Sequence, residues 1–237
     1  MLIWVLPFHK SSTLASAWSP NLSDDAYHLT RLPYDRRREI LWRALWKFHF
    51  SKYISSSDCV LELGCGYGEF INNVQARRRI ALDSWPGCLK HLTKDVEGHV
   101  GDTADLSFLE HGSVDFAFAS NLFEHLTKEC LATVLAQLSE KLTPDGKLAM
   151  LQPNYRYAFK EYFDDYTHVS IYSDESLCDF LAAHGYEVLE CVPRFMPLTI
   201  KNRKMIVSES LIRFYLSSPV KPLGKQMFVM ARPRRAQ

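Results

Sequence analysis

The sequence predicts an α/β fold in which a mostly parallel sheet carries helices on both faces. Apolar runs typical of strands alternate along the chain with amphipathic segments typical of helices, which is the pattern of repeated βα units. Glycines at positions 64, 66 and 68 follow the apolar run 59–63, as expected where a parallel strand ends in a tight turn. Residues 114–119 are almost wholly apolar, as in a strand that is covered on both faces. The 237 residues suffice for one such domain with appendages.

The individual elements follow from local patterns in the chain. A helix over residues 34–53 is predicted from apolar side chains at three-to-four residue spacing. Ser173 caps a later helix that stops at Gly185. No helix is placed between the last two strands, so one of them should run antiparallel. The predicted strands cover residues 59–63, 79–82, 98–100, 114–119, 147–151, 186–192 and 226–231, and the other predicted helices cover residues 70–76, 87–94 and 127–141.

The C-terminal part of the chain contains a long connection between two predicted strands and is strongly basic. Residues 196–224 are too long for a hairpin loop and contain an amphipathic run at 206–215, which suggests a lid, an oligomer surface or a membrane-surface helix. From Arg194 onward ten lysines and arginines stand against one acid, Glu209, so this segment carries +9 and the preceding 193 residues carry −8. A basic surface favours anionic partners such as phosphates, nucleic acid or lipid head groups, or it only balances an acidic body.

Overall composition narrows the class of protein. The chain is 47% hydrophobic with a net charge of +1, as in ordinary soluble globular proteins. Its six cysteines form no C-x-x-C pair, which favours small core residues in a reducing compartment. The apolar run 2–8 lacks a preceding basic residue and contains Pro7, so a signal peptide is not expected. With no stretch of roughly 20 apolar residues, the sequence predicts a cytoplasmic protein.

The glycine-rich loop points to a particular cofactor. A dinucleotide fingerprint needs its third glycine at position 69, which is Glu69 here. The pattern E-x-G-x-G-x-G resembles motif I of the class I S-adenosylmethionine-dependent methyltransferases. That resemblance implies a Rossmann-like seven-stranded sheet of order 3-2-1-4-5-7-6 with the last strand antiparallel, and S-adenosylmethionine as cofactor. It implies that the loop residues at the cofactor are Glu62, Gly64, Cys65, Gly66 and Gly68.

Two further acids fall where the family binds the nucleoside. Asp83 ends the second strand about 20 residues past the loop, where an acid accepts the ribose hydroxyls; Ser84 follows it, and a plain helix N-cap is the alternative. Asp102 and Thr103 follow the third strand, where the family places an acid at the adenine amino group; simple turn residues are the alternative.

The segment after the fourth strand is similar to the S-N-x-x-E-H-L motif of small-molecule methyltransferases. In that family Asn121 and Leu122 would lie beside the methionine part of the cofactor. Enzymes that methylate exocyclic amines of nucleic-acid bases carry N-P-P-Y or D-P-P-Y here, and this chain has no proline at that point. A nucleic-acid acceptor is therefore not expected.

Residues 152–157 and 164–168 resemble a block of bacterial methyltransferases associated with sugar-transfer and polysaccharide genes. This resemblance implies a small or glycan-like acceptor, and methylation of a hydroxyl calls for a base. The candidates are His168, with Asp165 to orient it, and His125, although either histidine could be structural. The predicted substrate contacts are Tyr34, Arg37, Asn154 and Tyr155. No metal site is expected, because the remaining acids do not cluster.

These observations together predict one methyltransferase domain over residues 1–237. Residues 1–55 would form a helical cap, 56–193 and 225–233 the core, and 194–224 a lid or insertion. The expected reaction moves the methyl group of S-adenosylmethionine to a hydroxyl oxygen of a small or glycan-like acceptor, anionic or lipid-linked if the basic segment binds it, with membrane-surface contact then expected. The alternatives are N-methylation of a small amine or amino sugar, and a non-catalytic cofactor-binding partner protein. The oligomeric state is left open.

Overall fold

The strand segments assemble into one sheet. The computed structural model of the protein describes residues 30, 32–197 and 207–235. Within that part of the chain seven strands form a single sheet of order β3-β2-β1-β4-β5-β7-β6, which confirms the predicted fold class. The strands are β1 (Cys59–Leu63), β2 (Arg78–Asp83), β3 (Glu97–Val100), β4 (Val114–Ser120), β5 (Leu142–Pro153), β6 (Tyr186–Pro197) and β7 (Gly224–Pro233). The helices are α1 (Arg36–Phe48), α2 (Lys128–Lys141), α3 (Tyr155–Ala158), α4 (Asp174–Ala183) and α5 (Glu209–Ser217).

Strand directions place the carboxyl ends of the first strands at one edge. β1 pairs parallel with β2 and β4, β2 with β3, and β4 with β5. β7 is antiparallel to both β5 and β6, which confirms the predicted antiparallel last strand. Loops that leave β1, β2, β3 and β4 therefore meet at the same edge of the sheet, the usual place for a ligand in this architecture.

Both faces of the sheet are buried, as the apolar strands require. Along β4, Ala117 and Ala119 belong to one core cluster, whereas Phe116 and Phe118 belong to the cluster on the opposite face. This alternation follows from the two-residue period of a strand. Helices α2 and α4 cover the first face with their leucines, and α1 contributes Leu45 to the second.

Two of the predicted helices are wrong. Residues 70–76 form turns, and a short 3₁₀ helix, Pro86–Lys90, stands where a helix was expected over 87–94. In the segment 87–94, a side chain from outside the segment binds backbone groups that would otherwise pair within the helix. Asn72 donates to the carbonyl of His91 at 2.8 Å and accepts from the amide of Thr93 at 2.9 Å. Asparagine commonly competes with helical hydrogen bonds in this way.

A helix does lie between the last two strands, contrary to the sequence prediction. Ser208 caps α5. Glu209, the first residue of α5, pairs with Arg43 of α1 at 2.8 Å. Ile212 is buried beneath it, while Phe214 remains exposed. The amphipathic run thus packs partly on the N-terminal helix; residues 198–206 of the expected lid lie outside the described residues. No helix in the described ranges has the length and apolar character needed to cross a membrane.

The basic C-terminal residues are dispersed over the protein. Lys221 donates to the carbonyls of Tyr215 and Leu216, at the end of α5. The other described cations that bind protein groups are Arg194 at the Gly224 carbonyl, Lys225 at Glu161, Arg232 at Glu187 and Arg235 at the carbonyls of Ser139, Leu142 and Thr143. Lys225 and Arg232 thus pair with acids, whereas the others bind uncharged carbonyls. Lys201, Arg203 and Lys204 lie outside the described residues.

Candidate active site

The loop after β1, residues 64–69, is called the cofactor loop here. Gly64, Gly66 and Gly68 have φ of +66°, +52° and +67°, the left-handed region that favours glycine. A Cβ at Gly68 would lie 2.6 Å from the end of the Leu92 side chain, which would have to move. Among the described residues, a Cβ at Gly66 would meet Leu32 at an ordinary contact distance of 3.6 Å. At Gly66 the positive φ, rather than packing against the described residues, therefore favours glycine.

Asp83 joins the cofactor loop to the loop after β2. One carboxylate oxygen accepts from the amide of Gly66 at 2.7 Å and the other from the amide of Trp85 at 2.8 Å. The residue is 9% exposed. Each carboxylate oxygen has a second lone pair, so the capping role and the predicted ribose contact are compatible. Ser84, beside it, is exposed and remains a predicted contact.

Glu62 and Cys65 support the loop from inside the protein. The Glu62 carboxylate accepts from the amide of Ile71 at 3.0 Å, and burial raises its pKa well above the usual value. A hydrogen bond with Cys88 and burial raise the pKa of the Cys65 thiol. Both side chains therefore shape the cofactor loop from the core side.

Asp102 and Thr103 differ in exposure. Asp102 is exposed, and one of its oxygens accepts from the amide of Ala104 at 2.8 Å, a turn-stabilising bond. Thr103 is buried. The turn alternative is present in the structure, and the predicted adenine contact of Asp102 stays a prediction for its other oxygen.

The N-terminal helix reaches the cofactor loop through a residue that the sequence analysis did not select. Arg37 binds Asp35, the N-cap of α1, while the neighbouring Arg38 pairs with Glu69 of the cofactor loop at 2.6 Å. The Arg38 guanidinium also lies 5.4 Å from the ring centre of Tyr67. The sequence offered one hint of this ion pair. Glu69 occupies the position of the third glycine, and a half-buried carboxylate needs a cation beside it.

Tyr34 lies beside this contact but is itself exposed. Its hydroxyl donates to Glu39, and its ring meets that of Tyr67 edge-on at 5.9 Å. The predicted substrate contact of Tyr34 remains a prediction, whereas the engagement of Arg37 with Asp35 favours a helix-capping role for that arginine.

The loop after β4 touches the cofactor loop directly. A Cβ on Gly64 would lie 3.0 Å from Leu122, so these two loops are packed against each other. Asn121 has a φ of 49°, its amide donates to the carbonyl of Leu151 at 2.8 Å, and its side-chain oxygen accepts from Gln226 at 2.8 Å. Gln226 on β7, which was not selected, thereby holds Asn121 at the predicted methionine end.

Three titratable side chains meet just beyond this loop and are called the histidine cluster: Glu124, His125 and His168. One ligand atom from each lies within 4.8 Å of the others. The two imidazole rings are 4.8 Å apart, edge to face, and His168 Nε2 lies 4.0 Å from Glu124 Oε1. Burial raises the pKa of Glu124 to about 8 and lowers the pKa of His125 to about 4. The cluster is thus a polar group enclosed in a poorly solvated environment.

A chain of hydrogen bonds fixes the tautomer of His125. The Thr167 hydroxyl donates to Asp165 Oδ1 at 2.6 Å, so that its oxygen can accept from His125 Nδ1 at 2.9 Å. The Thr167 carbonyl, which can only accept, lies 3.3 Å from the same nitrogen. This network assigns the proton to Nδ1 and leaves a lone pair on Nε2. Through Thr167, Asp165 orients His125; its predicted action on His168 stays a prediction.

Asn154 is a correction to the predicted substrate contacts. It is fully buried, and its amide nitrogen donates to Asp174 at 2.8 Å and to the Pro193 carbonyl at 3.0 Å. Its side-chain oxygen caps α3 by accepting from Arg156. Three internal bonds make it a scaffold residue. Tyr155 packs on Tyr162, whose ring lies 4.6 Å from that of His168, and its substrate role remains a prediction.

Comparison with known proteins decides the family. A family model described as a methyltransferase domain matches residues 34–191, which include the cofactor loop and the histidine cluster. The chain belongs to this methyltransferase family. The methyltransferase therefore has S-adenosylmethionine as its cofactor, and the glycine loop, with the Asp83 carboxylate bound at Gly66 and keeping further lone pairs, fits that ligand.

Solved structures share the fold of this methyltransferase at low identity. An S-adenosylmethionine-dependent methyltransferase from Archaeoglobus fulgidus is 21% identical, with 82% of this chain and 93% of that chain covered and a TM-score of 0.61. One from Mesorhizobium loti is 14% identical, with coverage of 80% and 97% and a TM-score of 0.57. A geranyl diphosphate C-methyltransferase from Streptomyces coelicolor is 13% identical, with coverage of 80% and 77% and a TM-score of 0.58. No curated protein matches the chain significantly.

Proposed function

We propose that this methyltransferase transfers the methyl group of S-adenosylmethionine to a hydroxyl oxygen of a small or glycan-like acceptor. The observation that carries the proposal is the Asp165–Thr167–His125 chain, which keeps Nε2 of His125 unprotonated. A hydroxyl is a poor nucleophile until its proton leaves, and a positioned imidazole lone pair is suited to accept that proton.

The location of His125 supports this role. It ends the short 3₁₀ helix Phe123–His125, directly after Leu122, whose side chain packs on the cofactor loop. His125 and His168 are both half-buried, so burial does not separate them. What favours His125 is the hydrogen bonding at Nδ1, which is engaged by Thr167. The ring of His168, the other predicted base, lies 4.6 Å from that of Tyr162.

The reaction balances with these residues. The cofactor supplies an electrophilic methyl group on a sulfonium. The oxygen–carbon bond forms as the sulfur–carbon bond breaks, the electron pair remains on sulfur, and the hydroxyl proton passes to His125 Nε2. Asp165, through Thr167, stabilises the imidazolium that results. The basic segment leaves the charge of the acceptor open, because only Lys225 and Arg232 among its described side chains pair with acids.

An acceptor panel tests the proposal. Purified protein with S-adenosylmethionine is offered neutral sugars, polyols, phenols and small amines, and S-adenosylhomocysteine formation is followed together with the methylated product. We expect turnover with hydroxyl acceptors and an O-methyl product. Turnover confined to amines would replace the proposal with N-methylation. Cofactor binding without turnover on an extended panel would favour a non-catalytic role.

A further inference from the structure

We infer that Glu124, His125 and His168 bind one divalent transition-metal ion, of which Zn²⁺ is the best match. Their ligand atoms already lie within 4.8 Å of one another. The inference uses the same residues as the proposed function but does not depend on the acceptor, since it concerns ion binding. It replaces the sequence-based expectation that no metal site is present.

Glu124 is the first reason for the assignment. Its side chain is completely buried, and within the described residues neither carboxylate oxygen has a hydrogen-bond partner. Buried polar groups are almost always hydrogen-bonded, and a buried charge needs a partner. A neutral carboxylic acid would not remove the difficulty, because its hydroxyl would also need an acceptor. A cation between Oε1 and the imidazoles satisfies the carboxylate directly.

His125 supplies the second, independent reason. Metal-bound histidines commonly donate their other ring N–H to a carboxylate, a carbonyl or water, which fixes the ring. Nδ1 of His125 is held by Thr167, which is held in turn by Asp165. Nε2 therefore carries a lone pair, and the hydrogen bond at Nδ1 fixes the orientation of the ring.

The ligand types select the class of ion. Two imidazole nitrogens and one carboxylate oxygen suit Zn²⁺ and its first-row neighbours, whereas Mg²⁺ and Ca²⁺ prefer oxygen ligands throughout. With metal–ligand bonds of about 2.0–2.2 Å, tetrahedral ligand atoms lie about 3.4 Å apart. His168 Nε2 and Glu124 Oε1 are 4.0 Å apart, so small side-chain rotations close the site. Three protein ligands leave a fourth position open for water or an acceptor oxygen.

A bound ion would change how the acceptor loses its proton. Nε2 of His125 cannot hold a metal and accept a proton at the same time. An acceptor oxygen at the open position would instead be made more acidic by the ion. Metal binding and methyl transfer can thus be measured separately, and each can fail without the other.

The test is a direct titration of tag-free, chelator-treated full-length protein with ZnCl₂ by calorimetry and with CoCl₂ by visible absorption. We expect one ion per chain with a dissociation constant in the micromolar range or below, and Co²⁺ bands of a low-coordinate nitrogen–oxygen site. Thr167→Val, which removes the hydroxyl that links His125 Nδ1 to Asp165 and leaves only the backbone carbonyl, should weaken binding by about 10–100-fold. His125→Ala and His168→Ala should weaken it at least as much.

Glu124→Gln provides a variant of the same shape that removes the charge, and it should also lose affinity. His111→Ala is the matched control, since His111 is an exposed histidine that is not part of the cluster. Thermal melting and S-adenosylmethionine binding establish that each variant is folded. Absence of stoichiometric binding by the wild type, or equal affinity in the cluster variants, would overturn the inference. In either case methyl transfer to hydroxyl acceptors would still be open to its own assay.

Discussion

We divide the site into a cofactor half, the cofactor loop with Glu62 and Asp83, and a proposed acceptor half, the histidine cluster. The acidic side chains of the two halves differ in their hydrogen bonding. On the cofactor side, Glu62 and Asp83 accept hydrogen bonds from backbone amides at 2.7–3.0 Å. On the acceptor side, Glu124 is equally buried but accepts no hydrogen bond from the described residues. The first half is a scaffold whose polar groups are already paired. In the acceptor half, the Glu124 carboxylate can still accept hydrogen bonds in a low-dielectric environment, where it can interact with a ligand.

The largest expected effect concerns the acceptor half. In chelator-treated, metal-free protein, His125→Ala should lower kcat by about 10²–10⁴ because the proposed proton acceptor at Nε2 is lost, while cofactor affinity stays near the wild-type value. Steady-state kinetics on a hydroxyl acceptor and calorimetry with S-adenosylhomocysteine measure the two quantities. Full activity in His125→Ala together with loss in His168→Ala would assign the base role to His168.

The next effect concerns the cofactor half. Asp83→Ala should weaken cofactor binding by about 1.5–3 kcal/mol, since it removes a carboxylate that organises two loops and is predicted to accept from the ribose. At saturating cofactor, kcat should change little. Asp102→Ala is the comparison variant: its side chain is exposed and makes one turn bond, so its loss should be smaller. Equal losses in the two variants would contradict the special position of Asp83.

A smaller effect separates the glycines within the cofactor loop. Gly68→Ala should lower the free energy of unfolding by about 1–3 kcal/mol, because the new Cβ meets Leu92 and the φ is positive. Gly66→Ala should cost less stability but more cofactor affinity, since its Cβ enters the space that the cofactor approaches. Chemical denaturation and calorimetry on both variants check this. A larger loss of stability at Gly66 would contradict the packing argument.

His49 offers a buried histidine that lies outside the site. It is surrounded by the rings of Phe50, Phe195 and Phe228, and burial, with the charges of Lys52 and Lys221, lowers its pKa to about 3. An unfolded chain takes up this proton near its ordinary value of 6.5. Its contribution to stability is therefore complete above pH 6.5 and is lost as the pH falls toward 3.

The wild type should consequently lose up to about 1.4 kcal/mol per pH unit below pH 6.5 relative to His49→Gln. Urea unfolding at several pH values between 4.5 and 8 measures the difference. Parallel curves for the two proteins would show that His49 does not titrate on unfolding, and the burial argument would then fail.

Much of the architecture can be predicted from short stretches of the sequence. The apolar run at β1 followed by glycines, the wholly apolar β4 and the cap at Ser173 predict their elements because each depends on neighbouring residues. The same holds for the cofactor loop, since positive φ values at Gly64, Gly66 and Gly68 are a property of the residue type. Residues 70–76 were predicted wrongly because side chains from outside this segment bind its backbone: the Glu62 carboxylate accepts from the Ile71 amide, and Arg79 donates to the Ile71 carbonyl.

The sequence by itself determined the family, the cofactor and the edge of the sheet where binding takes place. Only the tertiary structure decided which neighbours complete the site. It brought Arg38 to Glu69 and Gln226 to Asn121, and it joined Asp165 to His125 through Thr167. It also buried Asn154 as scaffold and placed the Glu124 carboxylate beside two histidines, with no hydrogen bond from the described residues. The physical reason is that burial and hydrogen-bond partnership depend on residues 20 to 105 positions apart, which no local pattern encodes.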